Sequence, residues 1–210
     1  MSLPQILLIG AGGHAAACID VIEKEHRFQI AGILGLPEEV GRTVLGYSAL
    51  GVDADLGSYA IRYRHALVCI GQFKSPKFRI KFYDSLKAAG FNLPTVISPT
   101  AHVSTHAVLG EGTIVMHGAI INARASIGRN CIINSRALIE HDVKIGDHCH
   151  VATAAVVNGG VFIGAGSFIG SNSAIRQSVK IGEHCVIGMG EVVKSDCTVG
   201  QTLVSPQRAK

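Results

Sequence analysis

The chain has 210 residues, 48% of them hydrophobic, with 25 glycines, no tryptophan and a formal net charge of +4. This length allows one or two domains, and a mild positive balance without a Lys/Arg block gives no support to nucleic-acid binding. No apolar run reaches the 18 residues of a membrane span. The N-terminus lacks the charged start and apolar stretch of a secretory signal, which predicts a cytoplasmic protein. The six cysteines form no CxxC pair and are expected to be reduced thiols.

Gln5 to Ile9 reads as an apolar strand, running into the glycine turn Gly10-Ala11-Gly12-Gly13-His14 and then a helix over Ala16 to Lys24. A strand, a tight turn and a helix N-terminus offer backbone N–H groups and a helix dipole to a phosphate. Gln29 to Leu34 and Ala66 to Ile70 read as further strands. Pro76 to Ala89 reads as an amphipathic helix with Phe78, Phe82 and Leu86 on one face, closed by Gly90. Strands alternating with helices predict a small parallel-sheet, Rossmann-like α/β domain over residues 1–92, with the junction near Pro94. The turn formally fits G-x-G-x-x-G/A, but the second strand ends Gly32-Ile33-Leu34-Gly35 without the acid that holds a ribose. The segment is also short for a full dinucleotide fold. The turn therefore suits the phosphate of a smaller nucleotide, or serves structure alone.

Residues 93–210 follow another rule. Eighteen aliphatic residues recur at intervals of six without a miss, from Ile97 and Val103 through Ile139, Ile145, Val151 and Val157 to Val193 and Val199. A hexapeptide period marks a parallel β-helix. Glycine follows the aliphatic residue at Gly110, Gly128, Gly146, Gly164, Gly182 and Gly200, a superposed period of 18. Three short strands per coil explain both periods, with the aliphatic side chains turned into a triangular prism. Small residues four places on, such as Ala119, Cys131, Cys149, Cys185 and Cys197, are expected to fill the corners. Outward positions are expected to be a solvated face.

One outward cluster departs from that background: Asn134, Glu140-His141-Asp142, His150 and Asn158-Gly159-Gly160, all within two successive coils. His141 and Gly159 differ by 18 and so stack, which leaves space and an accessible backbone beside the imidazole. A general base and an oxyanion donor require both. His150 shares a column with Ile114, Ile132, Phe168, Val186 and Val204, so an imidazole interrupts an apolar row. Asp147-His148-Cys149-His150 looks like a metal cluster, but alternation along a strand turns Cys149 away from the two histidines, so no metal is expected.

Taken together, the glycine turn ending in His14, Cys69-Ile70-Gly71 before a basic helix, and Asn134 followed by Ile139-Glu140-His141-Asp142 through His150 resemble one family. It is the bacterial sugar acyltransferases that join a nucleotide-sugar-binding α/β domain to a left-handed β-helix. Bacillosamine-pathway and perosamine N-acetyltransferases and a sialic-acid O-acetyltransferase belong to it. The resemblance covers nearly the whole chain. It implies a left-handed prism, acetyl-CoA as co-substrate, and a sugar or nucleotide sugar as acceptor. It further implies a homotrimer with the coenzyme lying between neighbouring prisms. By motif, His141 is the general base and Asp142 orients it, while the Gly159 N–H meets the oxyanion. Asn134 and His150 line the acceptor or thioester site, and Gly12, Gly13 and His14 contact the substrate phosphate. The chain end, Leu203 to Lys210, keeps Pro206 and a basic tail but lacks the family's glycine. Two other classes fit parts of the pattern: a catalytically silent, sugar-nucleotide-binding hexapeptide scaffold, and a zinc carbonic anhydrase on the same prism. Retention of His141 beside Asp142 and Gly159 speaks against the first. The spacing of His117, His141 and His150 speaks against the second.

Overall fold

A computed structural model describes residues 2–205. Strand β1 (Gln5–Ile9) leads into helix α1 (Gly13–Glu25), followed by β2 (Gln29–Gly35), β3 (Thr43–Val44) and β4 (Tyr47–Val52). Helix α2 (Leu56–Arg62), β5 (His65–Val68) and α3 (Lys77–Ala88) complete the first unit. The sheet order is β3-β4-β2-β1-β5, parallel except for the β3–β4 hairpin. That hairpin and α2 have no strong period in the sequence, because each is too short to display one. Helix α1 begins three residues earlier than its apolar pattern suggests, with Gly12 as the cap and His14 in the first turn.

Beyond Val96 the backbone coils through two-residue strands that stack into three parallel sheets of seven, six and five strands among the described residues. This is the left-handed hexapeptide β-helix. Its core is the aliphatic column together with the small corner residues, nearly all buried. From Leu109 to Ile187 the third residue after each inward aliphatic takes a left-handed conformation, as at Gly118, Arg124, Asn130, Asp142 and Gly160. The corners of the central coils turn this way, and non-glycine residues there accept the usual αL cost. The 18-residue glycine column has a different cause. A Cβ on Gly110 or Gly128 would lie 2.6 Å from the backbone of the next coil.

The register breaks once. Val186 pairs with Thr202, sixteen residues on instead of eighteen. Two residues are missing from the corner after Val193, so Cys197 bridges Ile181 in an inward slot and Leu203 takes the next. Val199, expected inside, is 69% exposed. Cys197 is thus not a corner residue, and Thr202 replaces Val204 in the His150 column. All six cysteines are buried and free. Pro206 and the basic tail lie outside the described residues.

The prism is not solvated all round. Ile114, Met116 and Ile132, on the outer face of the seven-stranded sheet, join the same buried cluster as Ile6, Leu8, Cys18, Ile19 and Ile22. The α/β unit therefore sits on one prism face, and α1 lies at the junction. Polar contacts fix its placement. Arg79, 1% exposed, donates to the Ile70 carbonyl (2.7 Å) and to the side chain of Asn130 (3.0 Å). Tyr83 and Lys87 both reach Glu111, and His117 binds Asp20 at 2.7 Å. Helix α3 consequently buries Arg79, Tyr83 and Leu86; of the Phe78, Phe82 and Leu86 face expected from its period, Leu86 is buried, Phe82 packs partly buried against the same core, and Phe78 lies outside it. Phe78 is 70% exposed, because its side of the helix faces a cavity.

Candidate active site

His141 stands at the corner that follows the six-stranded sheet, where the backbone turns outward through Asp142 at φ 63°. Its Nδ1 lies 2.8 Å from Asp142 Oδ2. A carboxylate accepts only, so Nδ1 carries the proton and Nε2 is left as the basic nitrogen. Arg124, one coil below, grips the same carboxylate through Nε (2.6 Å) and Nη2 (2.8 Å). The Arg124 hydrogen bonds first, and then that of His141, hold the Asp142 carboxyl well below the usual carboxylate range. Asp142 therefore stays anionic and fixed in direction. Glu140 takes the Asn122 amide and the His141 backbone N–H.

Gly159 lies directly above the ring. A Cβ there would sit 2.7 Å from His141 Cε1 and 2.8 Å from Nε2, so only glycine leaves the imidazole its place. Its carbonyl accepts the Ser178 N–H, while its own N–H meets no acceptor among the described residues. The basic nitrogen thus stands at an exposed corner, and the unclaimed donor belongs to the buried glycine stacked on its ring. That pairing suits proton abstraction coupled to oxyanion formation.

Asn134 and His150, expected in the same cluster, lie elsewhere. Asn134 precedes the six-stranded sheet and His141 follows it, so the two occupy opposite edges of that face. His150 is 7% exposed beneath the α/β unit. Its Nδ1 donates to the Gln72 carbonyl at 2.7 Å, and its Nε2 lies 3.2 Å from Asn134 Nδ2. Burial away from water, with help from nearby His14 and Arg79, pulls its pKa down to about 3, so it is neutral. His14 approaches from α1, its ring centroid 6.3 Å from that of His150, with Nε2 buried and unpartnered among the described residues. Two half-sites result: one holds a base, and the other is a buried polar junction.

A third element lies beyond the C-terminal ends of β1, β2 and β5, where ligands bind in open parallel sheets. A cavity of about 410 Å³ is lined by Gly10, Gly12, Leu34, Gly35, Ile70, Phe78, Lys81, Phe82 and Glu39. Gly10, at φ 106°, admits no Cβ beside the Ile70 side chain. Gly12 and Gly13 have open space where a Cβ would stand, and Gly12 but not Gly13 lines this cavity. The second strand does end without an acid, as its sequence indicates, but an acid from the following turn reaches the same place. The turn Pro37–Glu39 folds back, and Glu39 Oε2 accepts the Leu36 N–H at 2.7 Å beside Gly35. Glu39, Arg124, Phe78 and Phe82 were missed as site residues in the sequence. An 18-residue offset from Asp142 points to Arg124; no linear signal points to Glu39.

A prism that presents a carboxylate-held histidine under a glycine, joined to a parallel-sheet cavity, has the architecture of a hexapeptide acyltransferase. Residues 5–86 match the family model of the PglD N-terminal domain, and residues 115–209 that of the GMPPB C-terminal domain. A histidine-to-asparagine variant of perosamine N-acetyltransferase from Caulobacter crescentus, solved with CoA and GDP-perosamine, is 31% identical. The match covers 96% of this chain and 93% of that one, with a TM-score of 0.90. The acetyltransferase domain of PglB from Neisseria gonorrhoeae, in complex with acetyl coenzyme A, is 27% identical over 96% of each chain, with a TM-score of 0.87. WeeI from Acinetobacter baumannii shares the fold at 21% identity over 96% of this chain and 97% of its own, with a TM-score of 0.81. The chain belongs to the PglD-type family of sugar N-acetyltransferases with a hexapeptide β-helix.

Proposed function

We propose that this protein transfers the acetyl group of acetyl-CoA to the amino group of a nucleotide-linked sugar, with His141 as general base. The observation that carries this reading is the His141 corner: a ring oriented through Nδ1 by Asp142, with Gly159 and its unclaimed N–H stacked on it. Support for the substrate class comes from the C. crescentus relative, solved with CoA and GDP-perosamine. The sugar amine attacks the thioester carbonyl as His141 Nε2 takes its proton. The carbonyl oxygen becomes an oxyanion and accepts the Gly159 N–H. Collapse expels the coenzyme thiolate, and the imidazolium returns the proton to sulfur. Asp142, anchored by Arg124, holds the ring throughout and stabilises its charged form. No metal enters this scheme.

The acceptor's nucleotide takes the cavity beyond the sheet. Phe78 and Phe82 give it an apolar wall, Glu39 faces the ribose, and the Gly12–Gly13 turn at the start of α1 receives phosphate. The sugar then extends toward His14, Asn134 and His150. Because His141 stands at the far edge of the six-stranded sheet, its partner half-site belongs to another copy of the chain. Ile120, Leu138, Val156, Ala174 and Val192 form an apolar column on that outer face, Ile120 and Val192 being exposed, which favours burial between copies in a homotrimer.

The test is acceptor-dependent release of coenzyme A thiol across GDP- and UDP-linked 4-amino sugars, with light scattering of the same sample. Release with at least one of them by a trimer is expected. Thiol release with none, or full activity from a monodisperse monomer, would overturn the reading.

A further inference from the structure

The loop after β5 makes two contacts with the prism whose chemistry fixes a third group. Gln72 is 5% exposed. Its side-chain Nε2 donates to the Gly166 carbonyl at 3.0 Å and lies 3.4 Å from that of Ser167, so the loop is pinned to the prism backbone. Its own carbonyl lies 2.7 Å from His150 Nδ1. A carbonyl oxygen only accepts, which obliges Nδ1 to carry the proton. In a neutral ring Nε2 is then an acceptor, and what faces it at 3.2 Å must be an N–H of Asn134.

The orientation of Asn134 follows independently from its other end. Its Oδ1 accepts the Ser135 backbone N–H at 2.7 Å, and a backbone N–H only donates. Both ends of the carboxamide therefore agree. One Nδ2 hydrogen goes to His150, Oδ1 goes to Ser135, and the second Nδ2 hydrogen stays available. With the other tautomer His150 would donate, the carboxamide would have to turn over, and its bond to Ser135 would be lost.

We propose that Gln72 is a positioning residue: through its carbonyl it locks His150 as the Nδ1–H tautomer, and so fixes the Asn134 carboxamide to offer an N–H, not an oxygen, to the acceptor sugar. The sugar group read there is then a hydrogen-bond acceptor, a hydroxyl or ring oxygen. The sugar assignment rests on the function proposed above, whereas the tautomer lock does not. His150 acts in the ground state, by aiming Asn134, and exchanges no proton during turnover. The titratable or charged groups facing it are His14 on α1 and Arg79 on α3; Phe168, Gln72 and Asn134 supply the remaining contacts. Among the described residues no carboxylate faces it, and burial outweighs the Gln72 carbonyl, the contact that favours an imidazolium.

Long-range ¹H–¹⁵N spectra of the imidazoles in wild-type protein test the lock without reference to activity. The resonances of His150 should show a pyrrole-type Nδ1 and a pyridine-type Nε2, unchanged from pH 8 to pH 5. An Nε2–H tautomer, or protonation near the usual histidine value, would overturn the proposal. The variant Gln72→Met keeps the side-chain length and removes the bond to Gly166. It should raise KM for the sugar nucleotide by about 2- to 10-fold, the worth of one hydrogen bond, with kcat within about twofold and mixed tautomers at His150. A raised KM with an unmixed Nδ1–H tautomer would show that Gln72 acts only structurally and would also overturn it. Should the protein acetylate no sugar, the spectra still decide the lock.

Discussion

Replacing Gly159 with alanine should disable the base without disturbing the coil. The new methyl carbon would stand 2.7 Å from His141 Cε1 and 2.8 Å from Nε2, whereas ordinary contact begins near 3.4 Å. The ring must retreat by about 0.6–0.7 Å, and with 56% of the side chain exposed it has room to do so. Retreat lengthens the 2.8 Å bond to Asp142 and moves Nε2 off its line to the substrate amine. A misplacement approaching 1 Å is worth about 10²-fold in rate, so kcat should fall by about 10- to 10²-fold. Position 159 does not have a positive φ, so the backbone accepts alanine without strain. Gly159 is buried, but the clash falls on the exposed His141 ring and not on the coil, so the thermal midpoint should stay within about 2 °C. Stopped or continuous thiol-release kinetics at saturating acetyl-CoA, with circular-dichroism melts, measure both. A folded Gly159→Ala protein with wild-type kcat would refute the claim that ring and glycine work as a pair.

Further outcomes are expected. His141→Ala should lower turnover by about 10²–10⁴-fold with acetyl-CoA affinity nearly unchanged by calorimetry, and Asp142→Asn should lose less. Phe78→Ala should raise KM for the sugar nucleotide while leaving the melting midpoint and the acetyl-CoA KM unchanged, since this ring is 70% exposed at the cavity; a drop in stability would restore the reading of Phe78 as core. Folded His150 titrates at about 3 and unfolded histidine near 6.5, so between those values the unfolded chain binds the extra proton. Stability should therefore fall as pH drops from 6.5 toward 3, and His150→Gln should flatten that decline in melts recorded across the range.

The prism was legible in the sequence because each hexapeptide obeys the same steric demand: Ile139, Ile145 and Val151 all point into one narrow core. The stacking of Gly159 on His141 came from the same arithmetic, since coils of fixed length translate sequence offset into position. Where the offset changes, the arithmetic fails. The missing pair after Val193 leaves Val199 outside, and its aliphatic character gave no warning. The site was less legible for two reasons. Glu39 reaches the cavity through a 3-10 turn, whose path no periodicity announces. Phe78 and Phe82 show the spacing of a buried helix face, and an apolar stripe looks the same whether it meets a core or a ligand. His150 and His141 appeared as one cluster because they are close in sequence; a prism has three faces, and the pair fell on different ones.

The central claim is most directly tested by the product. Wild-type protein incubated with acetyl-CoA and a GDP-linked 4-amino sugar should yield a nucleotide sugar one acetyl group heavier by mass spectrometry, with the acetyl on nitrogen by NMR. Folded His141→Ala should form it at least about 10²-fold more slowly. An acetyl on a hydroxyl oxygen, or equal product from the His141→Ala protein, would contradict the account.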